Sequence, residues 1–212
     1  MAGKANHDIS SGLDTAFINS AINSNLAYRP EFVSNDYTQG KKVSVAIERE
    51  LRHCDAFYIS VAFITEGGLA PLKQVLAELR DKGIPGKILT TSYLTFTEPK
   101  ALKTLADLSN VEVRVYDSTD EGATGFHTKG YVFKAEEIYR FIVGSSNMTS
   151  SAFSVNKEWN TKLVSTSDGE LLKQMMTEFD ALWNSEHTYA VEDFIEDYEV
   201  RYKLIKEQKK NA

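Results

Sequence analysis

The sequence predicts an α/β fold built on a largely parallel sheet, and two observations carry that prediction. Between residues 55 and 116, apolar runs of strand length alternate with amphipathic stretches in a strand–helix–strand–helix–strand rhythm, the pattern of right-handed βαβ crossovers. The chain has 212 residues of which 42% are hydrophobic, enough for one substantial core or a core with a small appendage.

Taken in order, residues 1–11 are small and polar and are expected to form a mobile leader. Leu13, Phe17, Ile18, Ala21 and Ile22 recur at helical spacing, so 12–24 is predicted as a short amphipathic helix. Pro30, Asn35, Asp36 and Gly40 mark 25–40 as a connecting loop. Val43, Ile47 and Leu51 lie on one face of a helix over 41–54. Residues 55–63 are almost continuously apolar, as in a central strand covered on both sides.

Gly67 and Gly68 open a helix whose stripe is Leu69, Leu72, Val75, Leu76 and Leu79, closed at Gly83. A strand over 87–91, a helix over 98–108 and a strand over 111–116 follow. The acidic loop 117–124 leads into two strands, 125–134 and 138–143, joined tightly at Ala135-Glu136-Glu137. After them come a short helix (MTSSAF), a strand over 161–165, and a helix from Asp168 with Leu171, Leu172, Met175, Phe179 and Leu182 facing the core. The stretch 191–212 alternates acidic, aromatic and basic residues and is expected to be a solvated helix. These elements divide the chain into 1–40, 41–188 and a charged C-terminal helix over 189–212.

Chemistry concentrates between Gly125 and Glu158. His127 and Lys129 are two apart in a strand-like segment, so imidazole and ammonium project to one face. Gly144-Ser145-Ser146-Asn147 closes the next strand and offers backbone N–H groups, two hydroxyls and an amide. A histidine able to attack phosphorus, a lysine, and donors for phosphate oxygens are the parts of a phosphodiester-cleaving site. Asn147 also suits the cap of the helix after it, a role compatible with anion binding.

The pairing of His127-x-Lys129 with Gly144-Ser145-x-Asn147 resembles the phospholipase D superfamily, whose signature is H-x-K-x4-D followed by G-S-x-N. The aspartate position holds Lys134. In metal-independent restriction-endonuclease-like nucleases of that superfamily, an acid about eleven residues after the motif asparagine replaces it, and Glu158 stands there. The resemblance covers roughly residues 41–183. It implies an α/β/α sandwich with a mixed, mostly parallel central sheet, agreeing with the order of elements.

It further implies a nuclease in which His127 attacks phosphorus and forms a phosphohistidine. Glu158 would accept a hydrogen bond from the other ring nitrogen, while Lys129, Asn147, and Ser145 or Ser146 hold the phosphate oxygens. One motif copy implies a homodimer in which His127 of a second subunit protonates the leaving oxygen. No metal and no cofactor are expected. Nucleic acid, DNA above all, is the expected partner. Superfamily 2 helicases carry such a domain at the N-terminus, so a covalently linked helicase domain is also expected. The other reading is a catalytically weak phospholipase D-like module that binds nucleic acid or dimerises for a helicase.

Lys134, seven residues from His127, is expected on the opposite face of the strand. Glu136 and Glu137 rival Glu158, but their tight hairpin favours a solvent-facing role. His7, His53 and His187 lack motif partners, and Lys206–Lys210 reads as a solubilising face.

Composition narrows the classes further. The net charge of −6 is unlike that of most DNA-binding domains, so nucleic-acid contact must be local, or come from a dimer groove or another domain. Single Cys54 excludes an intrachain disulfide, and no Cys/His spacing suggests zinc. No run is long enough to span a bilayer and no signal-peptide pattern is present, so no membrane partner and a cytoplasmic location are expected.

Overall fold

The computed structural model describes residues 2–19, 21 and 25–210. Helices are α1 (Ala2–Ile18), α2 (Val43–Leu51), α3 (Glu66–Leu69), α4 (Lys73–Asp81), α5 (Pro99–Ala106), α6 (Ser150–Ser154), α7 (Glu170–Trp183) and α8 (Val191–Lys210). Strands are β1 (Glu31–Val33), β2 (Ala56–Val61), β3 (Gly86–Thr91), β4 (Val111–Tyr116), β5 (Lys129–Ala135), β6 (Ile138–Gly144), β7 (Asn160–Thr166) and β8 (Thr188–Ala190). They form one sheet in the order β1-β7-β6-β5-β2-β3-β4-β8.

Strands β5 and β6 are adjacent in the middle of that sheet, joined by a hairpin at Glu136, which takes φ 52°. The sheet is mixed, as expected, but its balance is not the one predicted. Among the described residues only β2–β3 and β3–β4 pair in parallel. The pairings β1–β7, β2–β5, β4–β8, β5–β6 and β6–β7 are antiparallel. The βαβ rhythm ends at β4, after which the chain enters β5 from the other direction.

Alternation along the strands divides two layers of core. Phe57, Ile59 and Val61 of β2, with Tyr131 and Phe133 of β5, pack under Val43, Ile47 and Leu51 of α2, Leu102 of α5 and Tyr198 of α8. On the other face Val132 and Phe141 meet Leu172 of α7, and Phe179 and Trp183 stack beside Leu89 and Phe126. Each fully buried aliphatic or aromatic side chain contributes roughly 1.5–3 kcal/mol. Lys162 of β7, also buried, reaches Glu31 of β1 at 2.6 Å and Glu50 of α2 at 3.3 Å, tying an edge strand and a helix to the sheet.

Several expectations change here. The leader is helical: Ile9 is buried, and Gly12 packs so closely on Tyr28 that a Cβ would sit 3.0 Å from its carbonyl oxygen. The end of the helix predicted over 12–24 (residues 20 and 22–24, with Ile22) and the Phe17 side chain lie outside the described residues. The predicted loop 25–40 contains β1, paired with β7. Pro71 divides the helix predicted to open at Gly67-Gly68 and close at Gly83 into α3, a 3₁₀ turn and α4, because a proline cannot continue the ladder.

Leu171 is exposed; the buried face of α7 is carried by Leu172, Phe179 and Trp183. The first half of α8 is core rather than solvated. Val191, Phe194 and Tyr198 recur at helical spacing and are buried, and the Tyr198 hydroxyl donates to the Thr97 carbonyl at 2.8 Å. Among the described residues no helix is long and apolar enough to cross a membrane.

Candidate active site

Antiparallel pairing of β5 with β2 and β6 brings the end of β2, the start of β5 and the end of β6 to one rim of the sheet. Val61 pairs with Lys129, Gly130 with Val143, and Gly144 with Asn160. Beyond the rim the exits of β2 and β6 stay paired. Met148 N donates to Phe63 O at 3.0 Å and Thr65 N donates to Met148 O at 3.0 Å. This stitching fixes the Gly144–Asn147 turn against the segment after β2.

His127 lies just before β5 rather than inside a strand, and it is exposed. The ladder nevertheless continues past it, since Ala62 N donates to Thr128 O at 3.0 Å. The imidazole packs edge-on to Phe63, with ring centroids 5.8 Å apart. Lys129 Nζ lies 3.0 Å from His127 Nδ1 and donates to His127 O at 3.0 Å. A ring accepting at Nδ1 is neutral and carries its proton on Nε2. Burial depresses the Lys129 pKa, and the Glu158 charge opposes that shift.

Glu158 is buried, 8% exposed, at the side of this rim. Its expected bond to His127 is not made. Instead Oε2 accepts a short hydrogen bond from the Ser145 hydroxyl, which in turn accepts from Trp159 N at 3.1 Å. The backbone after β6 and before β7 puts Glu158 beside the serine turn first, and its influence on Lys129 is through charge. Burial raises the pKa of Tyr131, and the Glu158 charge adds to that shift.

The two serines have separate surroundings. Ser145 is exposed, whereas Ser146 is fully buried and its hydroxyl accepts from Asn160 Nδ2 at 2.9 Å. Asn160 also accepts from Ser146 N at 3.3 Å and donates to Val33 O at 3.1 Å, and the Tyr131 hydroxyl donates to Ser146 O at 3.0 Å. Asn160 is thus a positioning residue that the sequence reading missed. Its only signal was an amide immediately before the predicted strand 161–165. Asn147 does not cap the following helix, whose cap is Thr149. Its Oδ1 accepts from Phe63 N at 3.1 Å, and its side chain lines a groove of about 690 Å³ with Phe63, Phe96, Val155 and Glu158.

Lys134 sits on the other face, with Nζ 6.0 Å from the Tyr139 ring centroid, in the layer under α7. The alternation argument holds for it because 129 to 134 run continuously in β5. Among the described residues no three His, Cys, Asp or Glu side chains are grouped as metal ligands.

Gly144 has a steric reason to be glycine. A Cβ there would lie 2.2 Å from Trp159 O and 2.6 Å from the Asn160 Cα, both backbone atoms that cannot swing aside. Gly144→Ala is expected to destabilise the fold by about 3 kcal/mol, at the upper end of overpacking costs. Thermal unfolding should register a Tm lower by roughly 6–12 °C at this chain length. An unchanged Tm would mean that β6 and β7 are not so closely apposed.

The sequence matches the family described as cardiolipin synthase, PLD-like domain, over residues 53–183, more than half of the chain. No curated protein matches it. Among solved structures, NucT from Helicobacter pylori is similar at 15% identity and a TM-score of 0.58, covering 77% of this chain and 99% of its own. Nuc from Salmonella typhimurium, a phospholipase D family member, is similar at 15% identity and a TM-score of 0.56, with 76% and 98% covered. The phosphatidylserine synthase of Haemophilus influenzae has 14% identity and a TM-score of 0.59, covering 92% of this chain and 49% of its own. At these identities the likeness is one of fold.

Proposed function

The chain belongs to the phospholipase D-like family, a family of phosphodiesterases, and from that premise we propose that it is a metal-independent nuclease. The observation that carries the reading is the convergence of His127 and Lys129, 3.0 Å apart, at a rim that also bears Asn147, Ser145 and Glu158. A phosphate bound between Lys129, Asn147 and the exposed Ser145 draws the ammonium away from Nδ1. The ring can then move its proton to Nδ1 and attack phosphorus through Nε2.

In that step the P–N bond forms and the bond to the leaving oxygen breaks. The leaving oxygen takes a proton from a second histidine, which is His127 of another copy of the chain in a twofold dimer. Water then attacks the phosphohistidine, giving up its proton to that histidine, and the P–N bond breaks. Lys129 and the Asn147 amide N–H stabilise the charge on the non-bridging oxygens in both steps, joined by Ser145 once its hydroxyl turns from Glu158 to the phosphate.

The substrate is nucleic acid, acted on in a cytoplasmic setting, and attachment to a helicase domain fits the same reading. Cleavage of DNA or RNA oligonucleotides is expected to survive excess EDTA, with the protein sedimenting as a dimer. Cleavage that needs added Mg²⁺, or a strictly monomeric active species, would overturn this mechanism. One observation favours a second reading, a binding or dimerisation module with little turnover. Glu158 is engaged with Ser145 rather than with His127. Binding without cleavage in the same assay would select it.

A further inference from the structure

The segment that follows β3 is strained and points apolar side chains outward. Leu94 and Thr95 both take left-handed backbone, φ 52° and 55°, without being glycine. Such residues are strained and persist only where the surroundings over-determine them. Here they do. Thr97 Oγ1 donates to Thr91 O at 2.9 Å, Tyr93 N donates to Thr91 Oγ1 at 3.2 Å, and Thr97 O accepts from Tyr198. Thr91, Ser92, Thr95 and Thr97 are all buried, while Tyr93, Leu94 and Phe96 are 41%, 53% and 45% exposed.

Phe96 is contiguous with the candidate active site. Its ring lies 5.0 Å from that of Phe63, edge to face, and Phe63 in turn lies 5.8 Å from His127. Phe63 and Phe96 line the same groove as Asn147 and Glu158. Lys209 Nζ sits 5.2 Å from the Phe96 centroid, adding a cation beside the ring.

We propose that the 92–97 segment is a base-stacking platform on which Phe96 holds the nucleobase next to the scissile phosphate, so that the site selects unpaired strands. The proposal rests on the nuclease reading of the site. Two ring contacts separate Phe96 from His127, within the reach of one nucleotide. A base in a duplex is already stacked and gains nothing from the ring, whereas an unpaired base gains a π-face. The net charge of −6, with Glu98 in the groove itself, opposes a broad anionic membrane surface, whereas a few phosphates of a single strand can be met locally by Lys129 and by Lys209 beside Phe96.

Binding is read by fluorescence anisotropy in the His127→Ala background, with labelled oligo(dT), an abasic deoxyribose-phosphate strand of equal length, and the corresponding duplex. Oligo(dT) is expected to bind about tenfold more tightly than the other two, the scale of one stacked base. Phe96→Ala should erase that advantage and leave abasic binding unchanged, and Phe96→Trp should restore it. Equal affinity for oligo(dT) and the abasic strand, or a Phe96→Ala loss shared by both, would overturn the platform. So would Phe96-dependent sedimentation with phosphatidylglycerol vesicles without base dependence, which would assign the segment to a lipid surface. Base-dependent binding by a protein that cleaves nothing would support the platform and sink the nuclease reading alone.

Discussion

His127→Ala is expected to lower kcat on a phosphodiester by on the order of ten-thousandfold or more, the scale seen when a nucleophile is removed from a catalytic set. The loss should fall on turnover and not on KM, because the side chain would be replaced by nothing that can form the P–N bond. Folding should be unaffected. His127 is exposed, and the ladder that anchors its segment runs through the Thr128 carbonyl rather than the imidazole. Lys129 keeps the His127 carbonyl as a partner. Steady-state kinetics with a chromogenic diester and a melting curve check both halves. Activity that persists in the variant would place the chemistry elsewhere.

Glu158→Gln is expected to cost about a hundredfold in kcat/KM, the scale of weakening one group that stabilises charge in the transition state, while Lys134→Ala costs little. The geometry gives this loss a different cause from the one the family pattern implies. Glu158 holds Ser145 and stabilises the charge of Lys129, which burial otherwise disfavours. The pH dependence separates the two causes. Phosphate binding needs the ammonium, which exists below the folded pKa of Lys129, and that value already lies below the ordinary 10.5. Removing the opposing carboxylate lowers it further, so the alkaline limb of kcat/KM should move to lower pH in Glu158→Gln.

The same sign applies to stability. A lysine whose folded pKa is depressed costs stability while it stays charged. That cost fades as pH rises through the folded value towards the unfolded one. An unmoved alkaline limb with full activity in Glu158→Gln would remove this residue from the site.

Much of this arrangement was legible in the residues alone. The β5–β6 hairpin, the turn at its exit and the opposite facing of Lys134 follow from period-two alternation and from glycine and serine at a strand end. What escaped the reading depends on partners distant in the chain. Strands β1 and β8 are three residues each and exist because β7 and β4 supply their hydrogen bonds. Strand direction has no local signature across a longer connection, which is why the antiparallel pairing of β5 with β2 and of β7 with β6 was not foreseen. Glu158 was found by spacing, but spacing says nothing of which hydroxyl lies nearest. Asn160 works through Val33 and Ser146, 127 and 14 positions away, and no window of sequence contains both.

The division of labour around Asn160 bears on how such a chain could change over generations. The side chains that would touch a substrate, His127 and Ser145, are exposed, whereas those that hold the turn in place, Ser146, Asn160 and Tyr131, are sealed in the core. A lineage could therefore lose or exchange its reaction by single substitutions at the surface and inherit the cradle intact. Descendants of one ancestor would then include working enzymes and silent binding modules of nearly the same shape.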